Sequence, residues 1–509
     1  MAQSGFVMLL PVITIIVALL TKEVYMSLIL GICAGALLFE GFAPFPAVIT
    51  MFKIMSEKVG ENASLLIFLI LLGILVAEIA RSGANRAYGN FAAKRIKSDR
   101  GALIFAPILG LIIFVDDYFN CLTVGSVMRP LTDKFRIARE KLAYVIDATA
   151  APTCILAPIS SWSAAIAAAF PKDTGQDGFQ VFLSTIPYNI YAWLTLILLF
   201  FIIFTGKDLR PMWGVVRRAR LRGITAGDVK NDDYAALVGE NGKGHILDLA
   251  LPLIVLIVGC LYGMLYTGGI HEGKTIAEAF GDCDATVGLM FGGFMANLLA
   301  AAMYLPRKVV SFKDFCNGFS AGFKLMTPAL FILVLNWTFM GLCSEDYLDL
   351  RGFVANTIDL SDTFIYLMPL VFFLLTAFLS LTTGNSWGSF GIMIPIAVTL
   401  IDPSNMNMLS ITVAAILSGA VAGDQGSPLS DTTILSSTGA GCGVIEHVTT
   451  QIPYVGAVSF CSAVGYLIGG LSENGIYGLL AGICSLAVMM VMIIKKVPAQ
   501  RGVFWKDEE

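Results

Sequence analysis

Charge and histidine are what this sequence has least of. Asp, Glu, Lys and Arg supply 14% of the 509 residues, and there are three histidines. An ordinary soluble domain is roughly a quarter charged, so a soluble globular chain is excluded, and nothing points to nucleic acid as a partner. The ten cysteines stand singly, without a Cys-X-X-Cys pair. That removes the spacing of metal and disulfide scaffolds and leaves them as small apolar residues of packed helices. His245, His271 and His447 are scattered and form no metal motif. The apolar N-terminus lacks a basic leader and a cleavage site, so it is expected to be a first span rather than a removable signal.

What fills the chain instead is hydrocarbon. Hydrophobic residues make up 57% of it, and the mean hydropathy is +0.79. Apolar runs recur at 6–20, 65–77, 103–115, 192–205, 247–268, 364–381 and 478–494, each near the length that crosses a bilayer. The expected fold class is an all-α polytopic membrane protein. Basic residues cluster at Lys94–Arg100, Arg129–Lys141, Lys207–Arg222, Arg307–Lys313 and from Lys495 onward. Placing all of them on the cytoplasmic side threads the spans consistently. The loops around Asp173 and Asp177, from Glu278 to Asp284 and from Glu345 to Asp362 then fall outside. The N-terminus is expected outside, the C-terminus in the cytoplasm, and the protein in a bacterial inner membrane.

Paired landmarks predict an internal repeat. "NCLTVGSVMRP" (120–130) matches "NSWGSFGIMIP" (385–395), "APISSW" (157–162) matches "SPLSDT" (427–432), and "STIPYN" (184–189) matches "TQIPYV" (450–455). The basic loops give the two copies opposite directions. The expectation is two inverted-topology repeats of about seven segments, 1–205 and 246–475, around a cytoplasmic linker, 206–245. A terminal helix at 476–495 and a tail at 496–509 complete the chain. Whether 118–130 and 385–400 span the membrane or re-enter is open at this level. Inverted repeats are the architecture of many secondary transporters, whose sites lie on broken helices at the repeat interface.

Ionisable groups at membrane depth are functional candidates. Here they are Glu78, Asp116, Asp117, Asp147, Asp424 and Asp431. Polar neighbours accompany them: Asn120, Thr149, Ser160, Ser161, Asn385, Ser386, Gln425, Ser427, Ser430, Thr432 and Thr433. Pro152, Pro158, Gly423, Gly426 and Pro428 break the helical ladder nearby and free carbonyl oxygens. Carboxylate, hydroxyl and carbonyl oxygens suit a hard cation such as Na+, with Asp147, Asp424 and Asp431 as its expected ligands. A carboxylate withdrawn from water also holds a proton more tightly. Three alternatives stand beside this reading. The 423–433 stretch would also serve as a surface helix end, Asp116 and Asp117 as outer-interface residues, and Asp147 as the partner of a basic side chain. Glu78 is expected to form an interfacial pair with Arg81.

An intramembrane aspartyl protease needs Gly-X-Gly-Asp, whereas "VAGD" (421–424) begins with valine. A serine mechanism needs a base, and no histidine is expected in a span. A channel filter would show as a repeated motif or a ring of like charges, and neither is visible.

"GDQGSPLSDTTILSSTGAGC", "GNSWGSFGIMIPIA" and "FVDDYFNCLTVGSVMRPLTDKFRIAREKLAYVIDATAAP" resemble the NhaC family of sodium/proton antiporters. The resemblance covers most of the chain. It implies Na+ and H+ as transported ions, no other cofactor, and a site drawn from Asp117, Asn120, Asp147, Ser386, Asp424, Ser427, Ser430, Asp431 and Thr432. A homodimer is compatible with it. Two departures stand out: Gln425 where the family usually has histidine, and Asn385 in "NSWG" where it has threonine. Gln and Asn offer paired donors and acceptors and so suit an amino or organic acid as well as an ion. A cation-coupled carrier of a small organic solute is the alternative.

Overall fold

The computed structural model describes residues 9–21, 24–84, 87, 94–170, 178–223, 225, 244–275, 279, 283–344, 346–349, 362–401 and 405–497. The loop around Asp173 and Asp177, the 350–361 stretch, the middle of the linker at 226–243 and the tail from 498 lie outside these residues. Among the described residues the regular structure is helical, with no strand. A chain that must satisfy its own backbone in hydrocarbon has little choice.

The chain opens with α1 (Leu9–Thr21), α2 (Val24–Phe39), α3 (Pro44–Glu61) and α4 (Ala63–Ser82). It continues through α5 (Asp99–Ile112), α6 (Asp117–Lys134), α7 (Arg139–Thr149), α8 (Ala151–Cys154) and α9 (Ser161–Ala168). After α10 (Gly178–Thr185), α11 (Ile190–Thr205) and α12 (Met212–Arg222) come α13 (Leu247–Thr267), α14 (Ala285–Tyr304) and α15 (Phe312–Cys343). The rest is α16 (Asp362–Thr383), α17 (Ser386–Leu400), α18 (Met406–Gly426), α19 (Asp431–Ala440), α20 (Val444–Leu471) and α21 (Gly475–Lys496).

Seven of these are long and apolar enough to cross a membrane: α4, α13, α14, α16, α18, α20 and α21. Two more spans arise if each bent pair counts as one. The segments Tyr25–Phe39 and Pro44–Glu61 meet at 119°, and Gly178–Tyr188 meets Ile190–Thr205 at 41°. The protein is a multi-pass membrane protein. The apolar runs at 65–77, 247–268, 364–381 and 478–494 fall on α4, α13, α16 and α21, whose hydropathies are 2.3 to 2.7. Helices α14, α18 and α20 carry more Gly, Ser and Thr and drop to 1.5 or 1.6.

Burial sorts these helices. In α21 only 22% of the span is buried, against 89% in α18; α21 therefore offers its sides to lipid while α18 runs through the centre. Every residue of α18 from Met408 to Gly426 is buried, and so is every residue of α7 from Glu140 to Thr149. These two central helices carry Asp424 and Asp147, and both end in a break. After Thr149 the chain leaves helical geometry at Ala150 (φ −84°, ψ −94°), one residue before the Ala151-Pro152 pair. Past Gly426 it is extended at Ser427 until Ser430 caps α19. Helices α6 and α19 touch backbone to backbone: a Cβ on Gly125 would lie 2.5 Å from the Cα of Gly439.

Three successive residues at the start of α7 are tied to the segment around α12. Arg139 N donates to Thr225 O at 2.8 Å, Glu140 pairs with Arg218 at 2.8 Å, and Lys141 pairs with Asp208. The last pair is almost wholly buried, with side chains 5% and 2% exposed.

Candidate functional site

Asp147 sits in the last turn of α7, where its carboxylate looks across to α19 and α20. Oδ2 accepts from Gln451 Nε2 at 2.7 Å and lies 3.3 Å from the Thr433 hydroxyl. His447 Nε2 is 3.4 Å from the same oxygen. Oδ1 is buried and has no hydrogen-bond partner. The basic group beside Asp147 is thus this imidazole, rather than a lysine or arginine at an interface.

Asp424, in the last turn of α18, is the second carboxylate. Its Oδ2 accepts from the Thr432 hydroxyl. That hydroxyl has one proton, so Ser430, 3.0 Å away, donates to Thr432 while its own oxygen caps α19 by accepting from Thr433 N at 3.2 Å. The Thr433 hydroxyl is also 3.3 Å from Asp424 O, which places it between the two carboxylate-bearing helices. Gln425 completes the link: Nε2 donates to Asp147 O at 2.8 Å, Oε1 accepts from Tyr191 at 2.7 Å, and its own carbonyl accepts from Gln451. The 423–433 stretch does contain a helix cap, but the cap lies inside the bundle. Asp424, Gln425, Ser427, Ser430 and Thr432 are all buried, while Pro428 and Leu429 between them are exposed.

Other expected site residues stand apart from this cluster. Asp116 and Asp117 are buried within the protein: Asp116 caps α6 by accepting from Phe119 N at 2.8 Å, and Asp117 accepts from Trp162 Nε1 at 2.9 Å. Nδ2 of Asn120 faces the carbonyls of Gly110, Ile113 and Thr149 at 2.7, 3.0 and 3.0 Å. It thereby bridges the broken ends of α5 and α7. Thr149 turns its hydroxyl back to Val145 O at 2.8 Å. Ser160 forms a reciprocal capping box with Ser163 at the start of α9. Asn385 caps α17 through Gly388 N at 2.6 Å, next to the buried Ser386, and Ser427 accepts from Leu429 N at 3.2 Å. Asp431 is half-buried and accepts from Tyr118 at 3.3 Å, its hydroxyl reaching across from α6. The three aspartates expected to share a cation therefore separate into a central pair and one flanking carboxylate, and no group of three or more His, Cys, Asp or Glu ligands occurs among the described residues.

Two central residues were not among the expected ones. His447 and Gln451 lie on α20, a helix long and apolar enough to span, and both are buried, so a histidine does lie on such a helix. Their spacing of four puts them on one face of a helix, and that pattern in an apolar segment was the available signal. Glu78 also departs from expectation. It is fully buried with neither oxygen hydrogen-bonded, because Arg81 reaches instead to Asp314 O on α15.

Paired carboxylates on interrupted helices at the centre of a multi-pass bundle define a secondary transporter rather than an enzyme. The chain belongs to the Na+/H+ antiporter family, whose model matches residues 154–471. An uncharacterized protein of Haemophilus influenzae is 34% identical over 504 residues, covering 95% of this chain and 94% of that one. The malate-2H(+)/Na(+)-lactate antiporter of Bacillus subtilis is 32% identical over 235 residues, which is 44% of this chain and 46% of the relative. In fold, the chain is similar to the YdaH transporter of Alcanivorax borkumensis, with a TM-score of 0.50, 13% identity, and coverage of 86% and 88% of the two chains.

Proposed function

We propose that this antiporter exchanges Na+ for protons across a bacterial inner membrane, with Asp147 and Asp424 as the shared site. The basic loops support an outside N-terminus and a cytoplasmic C-terminus. The observation that carries the exchange reading is Asp147 Oδ1, a carboxylate oxygen buried at the centre of the bundle with no hydrogen bond of its own. Unsatisfied buried polar atoms are rare and call for an explanation, an ion among them. The Thr433 hydroxyl reaches the neighbouring Oδ2 and the Thr432 hydroxyl reaches the Asp424 carboxylate; carboxylate and hydroxyl oxygens are hard donors that suit Na+. Two neighbouring buried carboxylates cannot both stay charged without a compensating cation. Either Na+ or a proton meets that need, so the arrival of one favours the departure of the other. Asp431, half-buried beside Tyr118, would draw cations toward the pair. The breaks after α7 and α18 are where the site would open alternately to the two sides.

The test is to reconstitute the protein in liposomes with a trapped pH dye and add NaCl outside. Alkalinisation of the lumen that is absent with choline chloride and lost in Asp424→Asn supports Na+/H+ exchange. A silent dye contradicts it.

A second reading rests on the amides of Gln425 and Gln451 and the Tyr191 hydroxyl. Together they supply donors and acceptors of the kind a small organic acid needs, and one relative is named for malate and lactate. Under this reading, protons move with Na+ only when labelled malate, lactate or an amino acid is also present.

A further inference from the structure

We propose that Glu78 is a second proton-binding site, separate from the Asp147–Asp424 cluster and independent of the exchange reading. Glu78 lies four residues before the end of α4, at 0% exposure, and both carboxyl oxygens are buried without a hydrogen-bond partner. Its room comes from α15: a Cβ on Gly318 would fall 1.5 Å from Glu78 Oε1, so only glycine leaves space for the carboxyl. One turn on, Gly322 approaches the backbone of α4 so closely that its Cβ would lie 2.3 Å from Ile74 N. The backbones of α4 and α15 are thus in direct contact one turn from the carboxyl.

The charged groups around Glu78 are engaged elsewhere. Arg81, on the same helix, donates to Asp314 O, and the Asp314 carboxylate on α15 accepts from Ser311. Tyr304, at the end of α14, donates to the carbonyl of Asp248 on α13, and Arg307 pairs with the Asp248 side chain. Helix α9, the other element packed on α4, carries no titratable side chain. A carboxylate left ionised here would be closed to solvent and without a hydrogen bond, with the Arg81 charge as its offset, and burial of that kind favours the neutral group. A sodium ion would need several further oxygens. A proton needs none, and it is the cation this site fits.

The isostere Glu78→Gln keeps the shape of the protonated side chain and removes its ionisation. Folded protein that holds this proton takes one up relative to the unfolded chain above about pH 4.3. Stability of the wild type therefore falls behind that of the variant as the pH rises. We expect purified full-length proteins to melt together at about pH 4 and to diverge toward about pH 9, with the variant the more stable. An infrared difference spectrum, wild type minus variant, should contain the carbonyl band of a protonated carboxylic acid at neutral pH. Parallel melting profiles, no such band, or failure of the isostere to fold would each overturn the proposal. Neither measurement depends on transport, so a failure of Na+/H+ exchange would leave this result unaffected.

Discussion

The imidazole of His447 on α20 and the carboxylate of Asp147 on α7 stand 3.4 Å apart, both closed off from solvent, although the two helices lie far apart in the chain. Gln451, one turn along from His447, holds the same carboxylate oxygen at 2.7 Å. Helix α20 thus supplies two of the groups that surround the proposed ion position.

Neutralising either central carboxylate should stop transport while sparing the fold. Asp147→Asn and Asp424→Asn keep side-chain shape and lose the charge that Na+ requires. Dye-loaded liposomes should show loss of at least about tenfold in rate, the equivalent of about 1.4 kcal/mol. Gel filtration and melting should stay close to wild type. Full activity in either variant removes that residue from the site.

Gln451→Leu withdraws two donors at once, one from Asp147 and one from Gln425 O. Leaving buried acceptors unsatisfied costs about 1–3 kcal/mol, visible as a lower melting temperature. Because the Asp147 carboxylate loses its anchor, the Na+ concentration needed for half-maximal exchange should rise. His447→Ala leaves these bonds in place, so a smaller loss of stability with slowed exchange is expected there.

The buried Lys141–Asp208 pair gives a contrast between single and double substitutions. Asp208→Asn leaves the Lys141 ammonium uncompensated, and breaking one side of a buried pair costs about 3–5 kcal/mol. Lys141→Met combined with Asp208→Leu removes both charges and should recover much of that loss. Thermal unfolding of the two variants beside wild type provides the comparison. A double variant no better than the single one contradicts the account.

At the α6–α19 crossing, Gly125→Leu has no space, since even a Cβ would meet Gly439 Cα at 2.5 Å. Overpacking of this kind costs about 1–3 kcal/mol, and here it would also push Tyr118 away from Asp431. The expected outcome is reduced folded yield, with the surviving protein melting below wild type.

The membrane class and the greasiest helices were plain in the sequence, because continuous apolar runs have few other uses. Asp147, Asp424 and Gln425 could be singled out because charge and helix breakers coincide in their segments. His447 and Gln451 escaped that logic: α20 runs unbroken past Pro453, two residues beyond Gln451, so the proline there marks no helix end, and the pair is marked by its helical spacing. Asn120, Ser160 and Asn385 show the opposite difficulty. An oxygen that could bind an ion can equally cap a helix or bridge two ends, and only the folded chain reveals where each polar group is spent. Glu78 and Arg81 sit three residues apart, the spacing of an ordinary helical pair. The carbonyl of Asp314, more than two hundred residues on, takes the arginine instead.

The side-chain groups gathered at the Asp147 carboxylate, Thr433, His447 and Gln451, all come from α19 and α20, 286 to 304 residues further along the chain. A stretch of gene encoding residues up to 205 would specify an acid without its surroundings, and the remainder would specify surroundings without that acid. Inheritance of this centre is therefore indivisible. Drift in one part of the chain is constrained by side chains written hundreds of codons away, and recombination between relatives preserves the centre only when both parts travel together.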